Sequence, residues 1–139
     1  MSTIALISCV SQKADYKTEA RNMYTSTLFT KGMKYIETIL KPDKAFILSA
    51  KHGLLKLDEV IEPYNETLNT KKKSERQEWA KTVFSQIQKE CDVNNDNFIF
   101  LAGKKYYKDL TQYLPNHKII MENMPIGIRL QWLTKETGV

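Results

Sequence analysis

The chain has 139 residues, enough for one domain with a full core, whereas two halves would each have a poor one. Hydrophobic residues (42%) and charged residues (27%) stand at ordinary globular proportions, which excludes long disorder, and the longest apolar runs, Ile4 to Ile7 and Phe98 to Ala102, are too short to span a bilayer. Lys plus Arg numbers 21 against 16 Asp plus Glu, and this net charge of +5 either attracts a phosphate-bearing partner or simply keeps the chain soluble.

Met1-Ser2-Thr3 leads straight into an apolar strand with no secretory signal, so a cytoplasmic protein with no membrane contact is expected. Cys9 and Cys91 lie far apart, and neither has a histidine at ligand spacing, since His52 and His117 are the only ones. Two free thiols are the simpler expectation with a disulfide left open, no zinc site and no cofactor are expected, and no metal is assigned, with a carboxylate-bound magnesium left open.

The first predicted strand, Thr3 to Cys9, is a continuous apolar run suited to a sheet covered on both faces. A polar loop follows, and Ala20, Met23, Tyr24, Leu28, Met33, Ile36 and Leu40 then keep helical spacing over about Glu19 to Leu40. Lys41-Pro42-Asp43 ends that helix, and Ala45 to Ser49 is the second strand. The segment from Ala50 to about Thr70 is long for a structureless connection, so it is either functional or holds a short helix. A helix over about Lys72 to Glu90 comes next, and Ser74 with Gln77 offers a capping box that would move its start. After the Asn94-Asn95-Asp96-Asn97 turn come a strand (Phe98 to Ala102), a helix (Lys104 to Leu114) and a fourth strand (Lys118 to Met121). A terminal helix opens at Pro125-Ile126-Gly127. This alternation predicts a single α/β domain over residues 1–139, three-layered and Rossmann-like, with a short parallel sheet of about four strands and helices on both faces.

Ligands of open parallel sheets gather outside the carboxyl strand ends. Polar, small and basic residues concentrate there: Ser8, Cys9, Ser11 and Lys13 after the first strand, Ser49 to Gly53 after the second, Gly103 after the third. In Ser49-Ala50-Lys51-His52-Gly53, the hydroxyl, ammonium, imidazole and glycine amide can serve an anion, and His52 could protonate a leaving group. The plainer reading is a tight turn with Gly53 at positive φ. Cys9 is a nucleophile only beside a base such as His52, and is more simply core filling. Ser26 has the look of a polar group turned toward a cleft. Tyr64 after Pro63 offers a face for a base or anchors the loop. The Lys71 to Lys73 run suits phosphates or plain solvent, and Lys104-Lys105-Tyr106-Tyr107-Lys108 suits nucleic acid or an ordinary amphipathic helix.

Certain of these segments form a pattern. Ser8-Cys9, Met23-Tyr24-Thr25-Ser26 with Phe29, Ile47 to Leu55, Pro63-Tyr64, Ala102-Gly103 with Tyr106, and Gly127 to Leu133 with Arg129 resemble a bacterial and phage family of unassigned function. The Ser49 to Leu55 loop and Pro63-Tyr64 are similar, more distantly, to the YaaA peroxide-stress family, which is associated with DNA binding but lacks a histidine at the position of His52. A fold-level likeness to uracil-DNA-glycosylase-type domains is analogy alone.

The expected function is that of a nucleic-acid-directed protein, for DNA ahead of RNA, that engages a base or nucleotide in the strand-end cleft. Cleavage of an N-glycosidic bond, as by a DNA glycosylase, is the reaction it could run. His52 or Lys51 would then stabilise the departing base, and a carboxylate, Glu62, Asp58 or Glu66, would orient water or the oxocarbenium-like centre. Ser8, Cys9, Ser11, Lys13, Ser26, Ser49, Gly53, Tyr64, Gly103, Tyr106 and Arg129 are the expected ligand-binding set. The alternatives are a non-catalytic DNA-binding stress protein and a small-nucleotide or metabolite enzyme. The oligomeric state does not follow from the residues.

Overall fold

The computed structural model describes residues 1–8 and 12–138. Its centre is a five-stranded sheet in the order β4-β3-β1-β6-β7. β1 (Thr3–Ser8), β3 (Lys44–Ser49), β6 (Asn97–Leu101) and β7 (His117–Ile119) run parallel, and β4 (Gly53–Lys56) runs antiparallel to β3. The protein is therefore α/β, a mostly parallel sheet within a three-layer, Rossmann-like arrangement. The four predicted strands are present within three residues of their expected ends, apart from Cys9, which lies outside the described residues.

β1 occupies the middle because it is apolar on both faces: Ile4, Ala5 and Leu6 are wholly buried. Successive side chains address opposite layers. On one face Ile7 and Leu101 approach Gly32 of α2 (Thr27–Tyr35) so closely that a side chain at Gly32 would strike Ile7. On the other, Phe100 meets Tyr107 of α4 (Lys104–Tyr107), with ring centroids 6.3 Å apart. α5 (Ile126–Thr137) joins the α2 layer through Tyr35 against Trp132 at 5.2 Å. α3 (Lys73–Glu90) joins α4 through Trp79 against Tyr106 at 5.7 Å.

The helix expected over residues 19 to 40 is not continuous. A short strand, β2 (Thr18–Glu19), and one turn, α1 (Ala20–Met23), lead to extended backbone at Tyr24. There the chain bonds to the loop after β1 instead of to itself: Ala14 N–H donates to Met23 O (2.7 Å) and Thr25 N–H to Gln12 O (3.0 Å). Ser26 then caps α2, its Oγ accepting from Phe29 N–H at 3.2 Å. A π turn over Ile36–Leu40 closes the segment, with Lys41 at φ 46.

The long segment after β3 holds β4, β5 (Val60–Ile61) paired with β2, and a 3₁₀ turn over Leu68–Thr70. α3 starts at Lys73, not at a Ser74 box, because Glu75 Oε1 accepts from Lys72 N–H at 2.9 Å. The helix expected over 104 to 114 is α4 followed by a 3₁₀ turn, Thr111–Tyr113. Among the described residues no helix is long and apolar enough to cross a membrane.

Candidate functional site

From β1 the chain moves outward to β3 and β4, then crosses back over β1 to β6. The loops leaving β1 and β6 therefore diverge to opposite layers, and a crevice opens between them at their carboxyl ends. Its floor is closed by one hydrogen bond, from Gly103 N–H to Ser8 Oγ at 3.3 Å. The resulting cleft has a volume of about 680 Å³.

One wall comes from α2 and α5: Ser26, Thr27, Leu28, Ile126, Arg129 and Leu130. The other comes from α4 and the end of the long loop: Glu66, Thr67, Asn69, Lys104, Lys105 and Tyr106. Gln12 and Lys13, from the loop after β1, complete the lining. Lys105 Nζ donates to Asn69 O (3.1 Å) and Tyr106 Oη accepts from Leu68 N–H (3.3 Å), so α4 fixes the long loop in place. Among the described residues, four cations thus line the cleft with one carboxylate, Glu66, which faces Lys71 at 3.7 Å.

Lys13 is held by aromatic faces. Its Nζ lies 4.6 Å from the Tyr64 ring centroid and 5.9 Å from that of Tyr24. Beneath it runs a chain of hydroxyls: Tyr24 Oη to Tyr64 Oη at 2.6 Å and Tyr64 Oη to Ser49 Oγ at 2.7 Å. Ser49 is fully buried, its Oγ also accepting from His52 N–H (3.1 Å) and its carbonyl from Trp79 Nε1–H (2.9 Å). This network ties the end of β3 to the aromatic bed of Lys13.

The Lys51-His52-Gly53 segment reverses the chain from β3 into β4. Gly53 takes φ +73. Gln86 of α3 clamps the turn, its Oε1 accepting from Leu54 N–H (2.9 Å) and its Nε2 donating to His52 O (3.2 Å). The His52 ring stands edge-on to Tyr64 at 5.3 Å, its Nε2 buried without a hydrogen-bond partner among the described residues. Burial pushes the His52 pKa down, Lys51 pushes the same way, and Glu59 and Glu66 oppose both. Unfolded His52 takes up a proton near pH ~6.5 while the folded imidazole resists. Stability is consequently lost as pH falls from the unfolded pKa toward the lowered folded one. His52→Gln is expected to flatten that part of the curve, which denaturant titrations at about pH 7.5 and about pH 5.5 measure. An unaltered slope would show that His52 does not carry it.

Of the expected site residues, Ser8, Lys13, Ser26, Gly103, Tyr106 and Arg129 line the cleft. Ser49 and Tyr64 lie in the hydroxyl chain beside it, and Cys9 and Ser11 lie outside the described residues. His52 borders a separate hollow of about 260 Å³ with Glu59 and Gln86, and Gly53 sits in the turn above it. Lys51, Glu62 and Asp58 are exposed and do not line the cleft, whereas Glu66 does. Gln12, Thr27, Leu28, Thr67, Asn69, Lys104, Lys105, Ile126 and Leu130 were not in the expected ligand-binding set. Residues 12 and 13 follow a strand end, a signal that reached Lys13 and equally covers Gln12. Among the described residues no group of three or more His, Cys, Asp or Glu could hold a metal ion.

None of the curated proteins compared with this chain matches it. The model of a family of unknown function (DUF6884) matches residues 4–135, and the chain belongs to that family.

Proposed function

We propose that the cleft binds a nucleotide unit, free or carried on a nucleic-acid strand, through its phosphate. The observation that carries this reading is the convergence of Lys13, Lys104, Lys105 and Arg129 on one concave site whose one carboxylate among the described residues, Glu66, faces Lys71. Such a surplus of positive charge in a concave site attracts an anion and raises its local concentration. Beside Ser26, the Thr27 and Leu28 amides in the first turn of α2 lack acceptors within the helix and suit phosphate oxygens as well. Hydroxyls from Ser8, Ser26 and Thr67 add neutral donors for a sugar or a base edge.

The distant likeness to the bacterial YaaA peroxide-stress family favours DNA as the source of the nucleotide, and a cytoplasmic setting would suit it. Should the site also cleave an N-glycosidic bond, Glu66 is the loop carboxylate placed to orient water or stabilise the developing cation. His52, Lys51 and Glu62 could take part in such a reaction only at a distance from this cleft.

Fluorescence anisotropy with a labelled single-stranded oligonucleotide tests the reading. Affinity is expected to fall about tenfold or more between roughly 50 and 200 mM salt, as phosphate neutralisation by several cations requires. Binding indifferent to salt, or absent at low salt, would sink it.

A further inference from the structure

The two walls of the cleft differ in chemistry. The α4 wall presents Lys104 and Lys105, both exposed. The α2/α5 wall presents Leu28, Ile126 and Leu130, and its one cation, Arg129, has its Nε tied to Met124 O at 2.8 Å. Ile126 is 60% exposed although it is large and apolar, and it stands at the first position of α5 on the cleft lining. Leu28 and Leu130 are half-buried beside it, and Leu28 packs against the core, so the outer surface of this apolar strip meets water. An inorganic phosphate or a sugar phosphate would use the cationic wall and leave this strip wet.

The volume narrows the choice. About 680 Å³ lies within the range of roughly 300–1,000 Å³ that holds one small ligand. A duplex carries its phosphates along a convex surface and asks for a broad cationic face, whereas here the cations share one recess. An anion with a flat apolar body and hydroxyl-bearing links between the two matches all three parts of the lining.

We infer, resting on the nucleotide reading above, that the cleft takes one nucleoside phosphate unit at a time. Its base lies against Leu28, Ile126 and Leu130, and its phosphate is held by Lys104 and Lys105. The unit is either a free nucleotide or a single nucleotide at the end of, or turned out from, a strand. The chemistry is the same for both sources.

Calorimetric titration of the wild type and of Ile126→Ser distinguishes the outcomes. The probes are the four 2′-deoxynucleoside 5′-monophosphates, 2-deoxyribose 5-phosphate and a short single-stranded oligonucleotide. At least one monophosphate is expected to bind about tenfold or more tightly than the sugar phosphate. Ile126→Ser is expected to weaken the nucleotide by about five- to tenfold, the loss of one apolar contact, and leave the sugar phosphate unchanged. Because Ile126 is exposed, the variant should melt with the wild type. A monophosphate as tight as the oligonucleotide identifies free nucleotide as the ligand, and a much tighter oligonucleotide identifies a strand. Equal affinity for sugar phosphate and nucleotide overturns the two-wall assignment while leaving an anion-binding cleft. No binding of any phosphate-bearing probe overturns the nucleotide reading itself.

Discussion

Replacing Gly53 by alanine is expected to cost the fold about 3 kcal/mol and to lower the melting temperature by roughly 10 °C. Two penalties combine. At φ +73 a Cβ crowds the following carbonyl, a cost of about 1–2 kcal/mol for any residue but glycine. The same Cβ would fall inside contact distance of Gln86 Oε1, the atom that receives Leu54 N–H, while Gln86 Nε2 donates to His52 O. Displacing Gln86 removes both hydrogen bonds, each worth about 0.5–1.5 kcal/mol. Thermal melts of Gly53→Ala, Gln86→Ala and the double variant separate the two penalties. In the Gln86→Ala background the glycine substitution should retain only its backbone cost. A Gly53→Ala protein as stable as the wild type would refute the clamp.

The second large effect is on binding. Lys104→Ala/Lys105→Ala is expected to weaken a single-stranded oligonucleotide about a hundredfold and to reduce its salt slope by roughly 1.5. Both lysines are exposed, and Lys105 Nζ donates to Asn69 O. Removing them should therefore leave the melting temperature unchanged. Loss of affinity with an intact melt places phosphate on this wall. Unchanged affinity and slope would remove these lysines from the site, and a collapsed melt would mean that they hold the long loop instead.

The alternating order of elements was legible because both periodicities are local properties. Ile4 to Ile7 and Phe98 to Leu101 read as strands on their own residues, and so did the parallel sheet that alternation implies. The break at Tyr24 was not legible. Its cause is pairing with residues 12 to 14, and nothing in Tyr24-Thr25-Ser26 interrupts helical spacing. β4 was missed for a similar reason, since Leu54-Leu55 becomes a strand only through β3 on one side and Gln86 on the other. The cleft divides the same way. Ser8, Lys13 and Gly103 follow strand ends and could be placed by rule, and Arg129 and Tyr106 came with the family pattern. Thr67 and Asn69 reach the site because α4 anchors their loop, and Ile126 because α5 returns to α2. These are contacts between distant segments, to which periodicity is blind.

The central position of β1 has a consequence for how the molecule is made. Ile4 pairs with Lys44 on one side and with Phe98 on the other. While a ribosome is still producing α3, β1 can join β3, but its second edge keeps open N–H and C=O groups. The bond between Ser8 and Gly103 links residues 95 apart, so the floor of the cleft cannot exist until β6 has emerged. Pairings of such separation form slowly, and an open strand edge invites association with other nascent chains in the meantime. The cleft is thus a late feature in the life of each molecule, and a chain halted before Asn97 presents an open strand edge in its place.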